Sequence, residues 1–309
     1  MVIKMKEKNT NCLIIISYNQ EKYVEKCFDS INKQKIKPEK IYWFDDNSTD
    51  KTIKILNELI EENNEIKKII KININKENIG IYENLNQTIK DWKCDFVHYL
   101  ACDDWFESEN YFKDFDQYCD ENKIKSELPI YITSNHLIFK NDKIEKIVYE
   151  KEDRNISGII RGKYTTRNLG ISNGLMKKFD KYDTKIGVWA DKIFEVDAFI
   201  KSEKNLHMEG FYHCYRASVG VSSKTKSIDL INSELKALEN INTKYLNILE
   251  RKDKNYIKYQ ISKNKIFTSL KIKEIINYTI LYFKNINNKI EIKDPLYIIK
   301  YHLKKLQND

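Results

Sequence analysis

The chain has 309 residues, 41% apolar and 12% aromatic, enough for one large domain or two ordinary ones around a substantial core. Eight glycines and three prolines exclude collagen-like and Gly/Pro-rich low-complexity chains, and the apolar content excludes disorder despite 32% charged residues. The net charge of +8 is uneven: residues 261–309 hold ten lysines against four acids, a balance of +6 that leaves the rest close to neutral.

The first hundred residues alternate between two patterns. Cys12–Ile16 is a short β-branched run, and Tyr23, Val24, Cys27, Phe28 and Ile31 follow at helical spacing. Lys40–Phe44 is the next strand, closed by the turn-like Asp45-Asp46-Asn47-Ser48, and Ile53, Ile55, Leu56, Leu59 and Ile60 continue as a helix. Ile69–Ile74 predicts a third strand, a loop ending at Gly80 leads into a helix through Leu85 and Ile89, and Phe96–Leu100 predicts a fourth strand running into Asp103-Asp104. This rhythm predicts an α/β fold with a doubly wound, mostly parallel sheet flanked by helices, whose ligands bind at the carboxyl ends of strands. Ser17–Asn19, Asp45–Asp50 and Asp103-Asp104 all fall at that edge.

Further along, Tyr111–Cys119 predicts a helix, Tyr131–Phe139 and Lys143–Tyr149 a hairpin across Asn141-Asp142, and Arg154–Asn168 a mobile loop. Lys192–Ile200 and Leu230–Leu249 have helical periodicity. Ile266–Phe283 is strongly apolar, and Leu296, Ile299, Leu303 and Leu306 form a stripe flanked by Lys300, Lys304 and Lys305. A boundary near residue 226 divides a domain of residues 1–226 from a basic helical extension of residues 227–309.

Met1–Thr10 carries Lys4, Lys6 and Lys8 without the apolar core of a signal peptide, and Cys12–Ile16, the longest apolar run of the first half, is far short of the ~18 residues of a membrane span. A soluble, cytoplasmic protein is expected. The cysteines (Cys12, Cys27, Cys94, Cys102, Cys119 and Cys214) include no Cys-x-x-Cys pair, as suits small buried hydrophobes in a reducing compartment. No nucleic-acid-binding motif accompanies the basic residues, so no nucleic-acid partner is expected.

Several clusters can carry chemistry, each with a plain structural reading beside the functional one. Adjacent carboxylates at Asp103-Asp104 repel unless a cation sits between them, and a hard divalent ion with oxygen ligands is the natural partner; the pair can equally form a turn and helix cap. Asp45–Asp50 is rich in capping residues, and one of its carboxylates can accept a hydrogen bond from a ligand N–H. Tyr18 can stack on a base or pack under the next helix. Asp191 can cap a helix or act as general base, and Arg216 can bind phosphate or form a surface ion pair. His213, alone in sequence, reads as structural.

The order and spacing of these clusters carry more than any one of them. Ile14-Ile15-Ile16-Ser17-Tyr18-Asn19, then Phe44-Asp45-Asp46-Asn47-Ser48-Thr49-Asp50, then Asn78-Ile79-Gly80 with Asn84 and Asn86, then Leu100-Ala101-Cys102-Asp103-Asp104-Trp105, resemble the inverting family 2 glycosyltransferases of GT-A fold. The resemblance covers residues 10–120 closely and 165–225 more loosely. It implies that Ser17, Tyr18, Asn19, Asp46, Asn78, Gly80, Asn84, Asp103, Asp104 and Arg216 bind a nucleotide-sugar donor, with Asp46 accepting the N3–H of uracil. It also implies that Asp103 binds a divalent metal, manganese or magnesium, and that Asp191 deprotonates the acceptor hydroxyl. Ala101 occupies the first position of the family's Asp-x-Asp signature, and Ser218 stands where many members have a His, so metal binding should depend on the bound donor.

The implied activity is transfer of a hexose or N-acetylhexosamine from UDP to a hydroxyl of a glycan or lipid-linked glycan in surface-polysaccharide synthesis. A catalytically silent nucleotide-sugar-binding protein on the same fold is the alternative. A nucleotidyltransferase is disfavoured, because no Gly-rich basic loop follows the first strand. Arg154, Arg161, Lys163 and Arg167 can cover the donor or simply lie in a solvated loop. The basic C-terminal extension suits peripheral contact with an anionic membrane surface, or packing as a helical bundle on the catalytic domain or on a second copy of the chain.

Overall fold

The structure, a computed structural model, describes residues 9–90, 92–165, 170–217, 219–220 and 225–269. The chain forms two compact units, residues 1–182 with 197–223, and residues 183–196 with 224–309.

The first unit is built on one sheet. Its strands are β1 (Asn11–Ser17), β2 (Lys40–Asp45), β3 (Ile70–Ile74), β4 (Phe96–Ala101), β5 (Trp105–Phe106), β6 (Ile130–Lys140), β7 (Lys143–Ile147), β8 (Gly170–Ser172) and β9 (Lys204–Arg216). They lie in the order β3-β2-β1-β4-β8-β6-β9-β5, with β7 paired to β6. β3, β2, β1 and β4 are mutually parallel, β8 runs antiparallel to both its neighbours, and β6 and β9 are parallel to each other. The mostly parallel, doubly wound sheet expected from the sequence is present.

Register sets the edge where a ligand would sit. Ser17 lies opposite Asp45, and Ile16 opposite Ala101, so the carboxyl ends of β1, β2 and β4 finish together. β1 can occupy the centre because Leu13, Ile14 and Ile15 are fully buried, each contributing about 2 kcal/mol of apolar burial. Helices α1 (Val24–Asn32) and α2 (Thr52–Glu61) cover the sheet with Val24, Cys27, Phe28, Ile31, Leu56 and Ile60, the i, i+3, i+4 spacing of one helix face. A short helix α3 (Asn64–Ile69), capped by the Asn63 side chain accepting from Ile66 N at 3.0 Å, leads directly into β3. The sequence did not betray it, because its apolar residues run without a break into those of the strand.

Beneath β4 lies a buried polar chain. His98 meets Tyr111 of α5 (Tyr111–Glu121) through Nδ1 at 2.6 Å and Asn11 Oδ1 through Nε2 at 2.9 Å, while Asn11 Nδ2 donates to Asp116. Since Asn11 Oδ1 can only accept, His98 carries its proton on Nε2 and accepts from the Tyr111 hydroxyl. These bonds tie β1, β4 and α5 together.

The β6–β7 hairpin turns at Asn141 (φ 50°) and Asp142 (φ 58°), two successive left-handed residues of the type I′ kind that matches strand twist. Helix α4 (Ile81–Asn86) follows Gly80, and α7 (Asn173–Met176) follows β8. The segment expected as a mobile loop contains instead α6 (Ile156–Ile160), capped by the Asn155 side chain accepting from Gly158 N at 3.0 Å. Arg154 is fixed as well. Its Nε and Nη2 donate to Tyr149 O, and its Nη1 and Nη2 to the two carboxylate oxygens of Glu209 at 2.6 and 2.9 Å. Arg161 Nε donates to Ser157 Oγ, Lys163 lies 3.9 Å from Asp153, and Arg167 falls outside the described residues.

In the second unit, the chain at Gly187–Ala190 packs on α9 (Ser227–Lys244): Trp189 N donates to Ser233 Oγ at 2.9 Å and Lys236 Nζ to Lys185 O at 2.9 Å. α9 buries Ala237, Leu238 and Ile241 and packs against α10 (Arg251–Ser269), which buries Ile257 and Tyr259. Helix α8 (Ala190–Lys201) begins in this unit. The Leu296–Leu306 stripe and most of the apolar Ile266–Phe283 stretch lie outside the described residues. Among the described residues no helix is long and apolar enough to cross a membrane, and the six cysteines are buried and form no disulfide.

Candidate functional site

Two acidic turns stand side by side at the carboxyl edge. Asp45 ends β2 fully buried, and its carboxylate accepts from Ser17 Oγ (2.6 Å), Ser48 N (2.7 Å) and Ser48 Oγ (2.6 Å). Ser17 Oγ in turn accepts from Trp43 Nε1 at 2.8 Å, so the Ser17 hydroxyl is engaged on both sides within the fold. Asn19 and Asn47 take left-handed conformations (φ 52° and 61°), which asparagine tolerates, and the Asn19 side chain accepts from Thr49 N at 2.8 Å. The two loops are thereby laced together, and Tyr18 between them is 42% exposed, which excludes packing under the next helix.

Asp46 is also buried, but its carboxylate is gripped from the loop that follows β3. Oδ1 accepts from Asn75 Nδ2 and Ile79 N, both at 2.9 Å, and Oδ2 from Gly80 N at 2.8 Å. Gly80 has φ 86° and ψ 155°, a backbone open to glycine and costly for other residues, and this conformation aims its N–H at Asp46. Three of roughly four acceptor positions on Asp46 are taken. Asn84 is fully buried, accepting from Asn75 and donating to Phe44 O, so it supports the site from beneath. Asn78 is exposed and accepts from Gly80 N at 3.1 Å.

The second turn, Asp103-Asp104, is held by β9. Arg216 N donates to Asp104 Oδ1 at 2.8 Å, and Arg216 Nε donates to Asp103 O at 3.0 Å. The Arg216 guanidinium lies within 4.7–5.2 Å of the ring centroids of Tyr23, Trp105 and Phe139, and Lys26 Nζ sits 3.5 Å over Trp105. This stacking orients the guanidinium while leaving its terminal nitrogens for a ligand oxygen. His213 Nε2 stands 3.2 Å from Asp104 Oδ2. Past β9 the chain returns near the turn, where a Cβ at Gly220 would lie 3.9 Å from Asp103 Oδ2. Burial pushes the Cys102 thiol well up, with contact to the Cys27 thiol adding to the shift, so the residue beside Asp103 is chemically inert.

The Asp103 and Asp104 carboxylates are hard oxygen donors of the kind magnesium and manganese prefer. Asp103 is the ligand expected from the sequence, and among the described residues no group of three or more His, Cys, Asp and Glu side chains could hold a metal. A cation therefore fits here only with further oxygens from a bound ligand and water. Asp191 lies in the second unit, in the first turn of α8; it is exposed, and its Oδ1 accepts from Lys192 N at 2.7 Å. Ser218 falls outside the described residues.

The sequence reading missed Asn75, although an amide directly after a strand ending at this edge is a usable signal. It also missed the aromatic box around Arg216, whose three members, Tyr23, Trp105 and Phe139, come from segments distant in sequence.

A model of the family described as "Glycosyl transferase family 2" matches residues 12–178, more than half of the chain. A curated relative, the dolichyl N-acetyl-alpha-D-glucosaminyl phosphate 3-beta-D-2,3-diacetamido-2,3-dideoxy-beta-D-glucuronosyltransferase of Methanococcus voltae, is 29% identical over 211 residues, 64% of this chain and 62% of that one. Glycosyltransferase GlyA of Streptococcus pneumoniae serotype 4 is 32% identical over 97 residues, 31% of this chain and 13% of its own. This chain thus spans less than two thirds of either relative.

Among solved structures, S. aureus TarS 1–349 in complex with UDP-GlcNAc aligns with TM-score 0.62 and 20% identity over 88% of this chain and 79% of that one. Mannosyltransferase PcManGT from Pyrobaculum calidifontis, in complex with GDP-Man and Mn2+, aligns with TM-score 0.54 and 11% identity over 98% of this chain and 82% of that one. These likenesses establish the fold, a sheet of mostly parallel strands flanked by helices and similar to the GT-A structures.

Proposed function

Because this chain belongs to glycosyl transferase family 2, we propose that it moves a sugar, with inversion, from a UDP-hexose or UDP-N-acetylhexosamine to a hydroxyl of a glycan or lipid-linked glycan during surface-polysaccharide assembly. The observation that carries this reading is the convergence of Asp46, Asp103 and Arg216 at one sheet edge, each held by named partners. The relative of similar fold bound to UDP-GlcNAc supports the choice of uridine.

In this reading Tyr18 offers its exposed ring face to the base, and Asp46 uses its remaining acceptor position for the N3–H of uracil. Arg216 donates its terminal N–H groups to the diphosphate while the aromatic box fixes the plane of its guanidinium. Asp103 would hold a divalent ion together with diphosphate oxygens, and such an ion, when bound, supplies charge neutralisation for the leaving group. Asp191 takes the proton of the acceptor hydroxyl as its oxygen attacks the anomeric carbon from the side opposite the leaving diphosphate. The transition state has the oxocarbenium character of glycoside hydrolysis, and binding energy from base and diphosphate positions the sugar. The same site without turnover would make a nucleotide-sugar-binding protein, a reading favoured by the reduced metal signature, with Ala101 and Ser218 at its departing positions.

Residues 261–309, with six of the eight net positive charges, would rest on an anionic membrane surface. Deleting them should abolish pelleting with anionic liposomes and spare donor binding; unchanged pelleting removes that role.

A thermal-shift panel of nucleotide sugars, with and without manganese, tests the donor reading on wild type and Asp103→Ala. A ligand at 100 times its dissociation constant stabilises by ~2.7 kcal/mol. The expected result is a manganese-dependent shift with one UDP-sugar, lost in the variant. No shift with any nucleotide overturns the reading.

A further inference from the structure

Strand β9 reaches the Asp103-Asp104 turn at three atoms. Two contacts come from Arg216, through its backbone N and its Nε. The third joins two side chains: His213 Nε2 lies 3.2 Å from Asp104 Oδ2, and each side chain is only 6% exposed. Asp104 is therefore a buried carboxylate with one oxygen on a backbone N–H and the other facing an imidazole.

His213 is an expensive residue for that position if packing were its only task. It sits opposite Phe106 in the β5–β9 pair, beside apolar side chains. Neither ring nitrogen has a hydrogen-bond partner among the described residues, since the approach to Asp104 lies at ion-pair distance but off the line of a hydrogen bond. A buried polar group left in that state carries an uncompensated desolvation penalty, whereas a Leu or Phe there would carry none. A small rotation of the imidazole or the carboxylate closes the bond.

We infer that His213 is a positioning residue for the donor site, holding the second oxygen of Asp104 so that the Asp103-Asp104 turn keeps one geometry as donor binds. The inference rests on the reading of this edge as the donor site. Nε2 is the nitrogen that must reach, because it is the one directed at Asp104. Arg216 cannot substitute, since its own donors go to Asp104 Oδ1, to Asp103 O and to the proposed diphosphate.

The test compares His213→Gln with His213→Asn in the full chain. The glutamine amide nitrogen reaches where Nε2 stands, while the asparagine nitrogen stops at the Nδ1 position; both are polar and differ by one methylene. With UDP-GlcNAc and UDP-glucose as donors and manganese present, His213→Asn is expected to lower kcat at least about tenfold, the scale of one hydrogen bond to a charged group. Its UDP dissociation constant, measured by calorimetry, should stay within about twofold, because base contacts lie at Asp46. His213→Gln should recover most of kcat. Equal kcat in wild type and both variants overturns the inference. So does a loss of kcat and UDP binding together in both variants in step with their melting temperatures, which marks a structural residue. If wild type neither binds nor turns over a UDP-sugar, the donor-site reading falls and the role of His213 falls with it.

Discussion

Asp45 closes β2 with Asp46 behind it, and Asp103 and Asp104 follow β4, so a pair of carboxylates stands at each of two strand ends. In each pair one member is built into the fold: Asp45 is saturated by Ser17 and Ser48, and Asp104 accepts from Arg216 N with the His213 ring 3.2 Å from its other oxygen. The pairs differ in where their support comes from. The first turn draws its donors from residues 3 to 34 positions away. The second depends on a strand 112 residues further on. The Asp45-Asp46 turn is thus complete once β1, β2 and β3 have formed, whereas the Asp103-Asp104 turn acquires its geometry only when β9 docks. The two acidic turns of the proposed donor site thus rest on separately assembled supports.

The largest expected effect separates the two turns by function. Asp103→Asn should lower sugar transfer by about a thousandfold, roughly 4 kcal/mol of transition-state stabilisation, and leave UDP binding without metal nearly unchanged. A parallel loss of metal-free UDP binding would show that the turns are one unit and break the comparison. Asp45→Ala should act on stability instead, because it strands the hydroxyl and amide donors of Ser17 and Ser48 around a buried void. A loss of roughly 3 kcal/mol in urea unfolding is expected, and a change below 1 kcal/mol would mean the turn is held otherwise. Asn75→Ala removes one of three donors to Asp46, and UDP affinity should fall about tenfold with no change in kcat at saturating donor. A fall in kcat alone would place Asn75 in the transfer step.

The asymmetry of support also explains what the sequence disclosed. β1, β2 and β4 are short apolar runs ending in polar clusters, so their existence, their parallel pairing and the edge they share could be read directly. β9 could not: His207, Glu209, Gly210 and His213 break its apolar pattern, and a bulge at Glu209-Gly210 opposite Ser134/Asn135, filled by Asn135 Nδ2 donating to Glu209 O at 2.9 Å, hides its alternation. α6 was missed for a related reason, since Arg154 and Asn155 are committed to tertiary contacts and a cap while looking like loop residues. Asp46 and Asp103 were legible as candidates because strand ends are read locally. Asn75, which supports Asp46, carried only the local signal of an amide directly after a strand, and His213, which faces Asp104, carried none, because only the sheet brings it near.

The smallest effect bears on the late-assembled side, through a second histidine of β9. His207 Nε2 donates to Asn135 Oδ1 at 3.1 Å, and the single lone pair of Nδ1 faces the Thr133 hydroxyl at 3.0 Å and the Tyr164 hydroxyl at 3.3 Å, with the Arg154–Glu209 pair alongside. Burial, reinforced by the charge of Arg154 and only partly offset by Glu209, lowers its pKa from the ordinary 6.5 to about 4. The fold therefore favours neutral His207, and between those values the unfolded chain binds more protons than the folded one. The stabilisation is complete above pH 6.5 and is lost progressively as pH falls toward 4. Amide exchange followed from pH 7 to 4.5, corrected for intrinsic rates, should reveal β9 and β6 losing protection while β1 and β2 keep theirs, and His207→Gln should flatten that dependence. Protection lost equally in all four strands would mean that the two halves of the sheet unfold as one, and that the separate assembly of the two acidic turns has no thermodynamic counterpart.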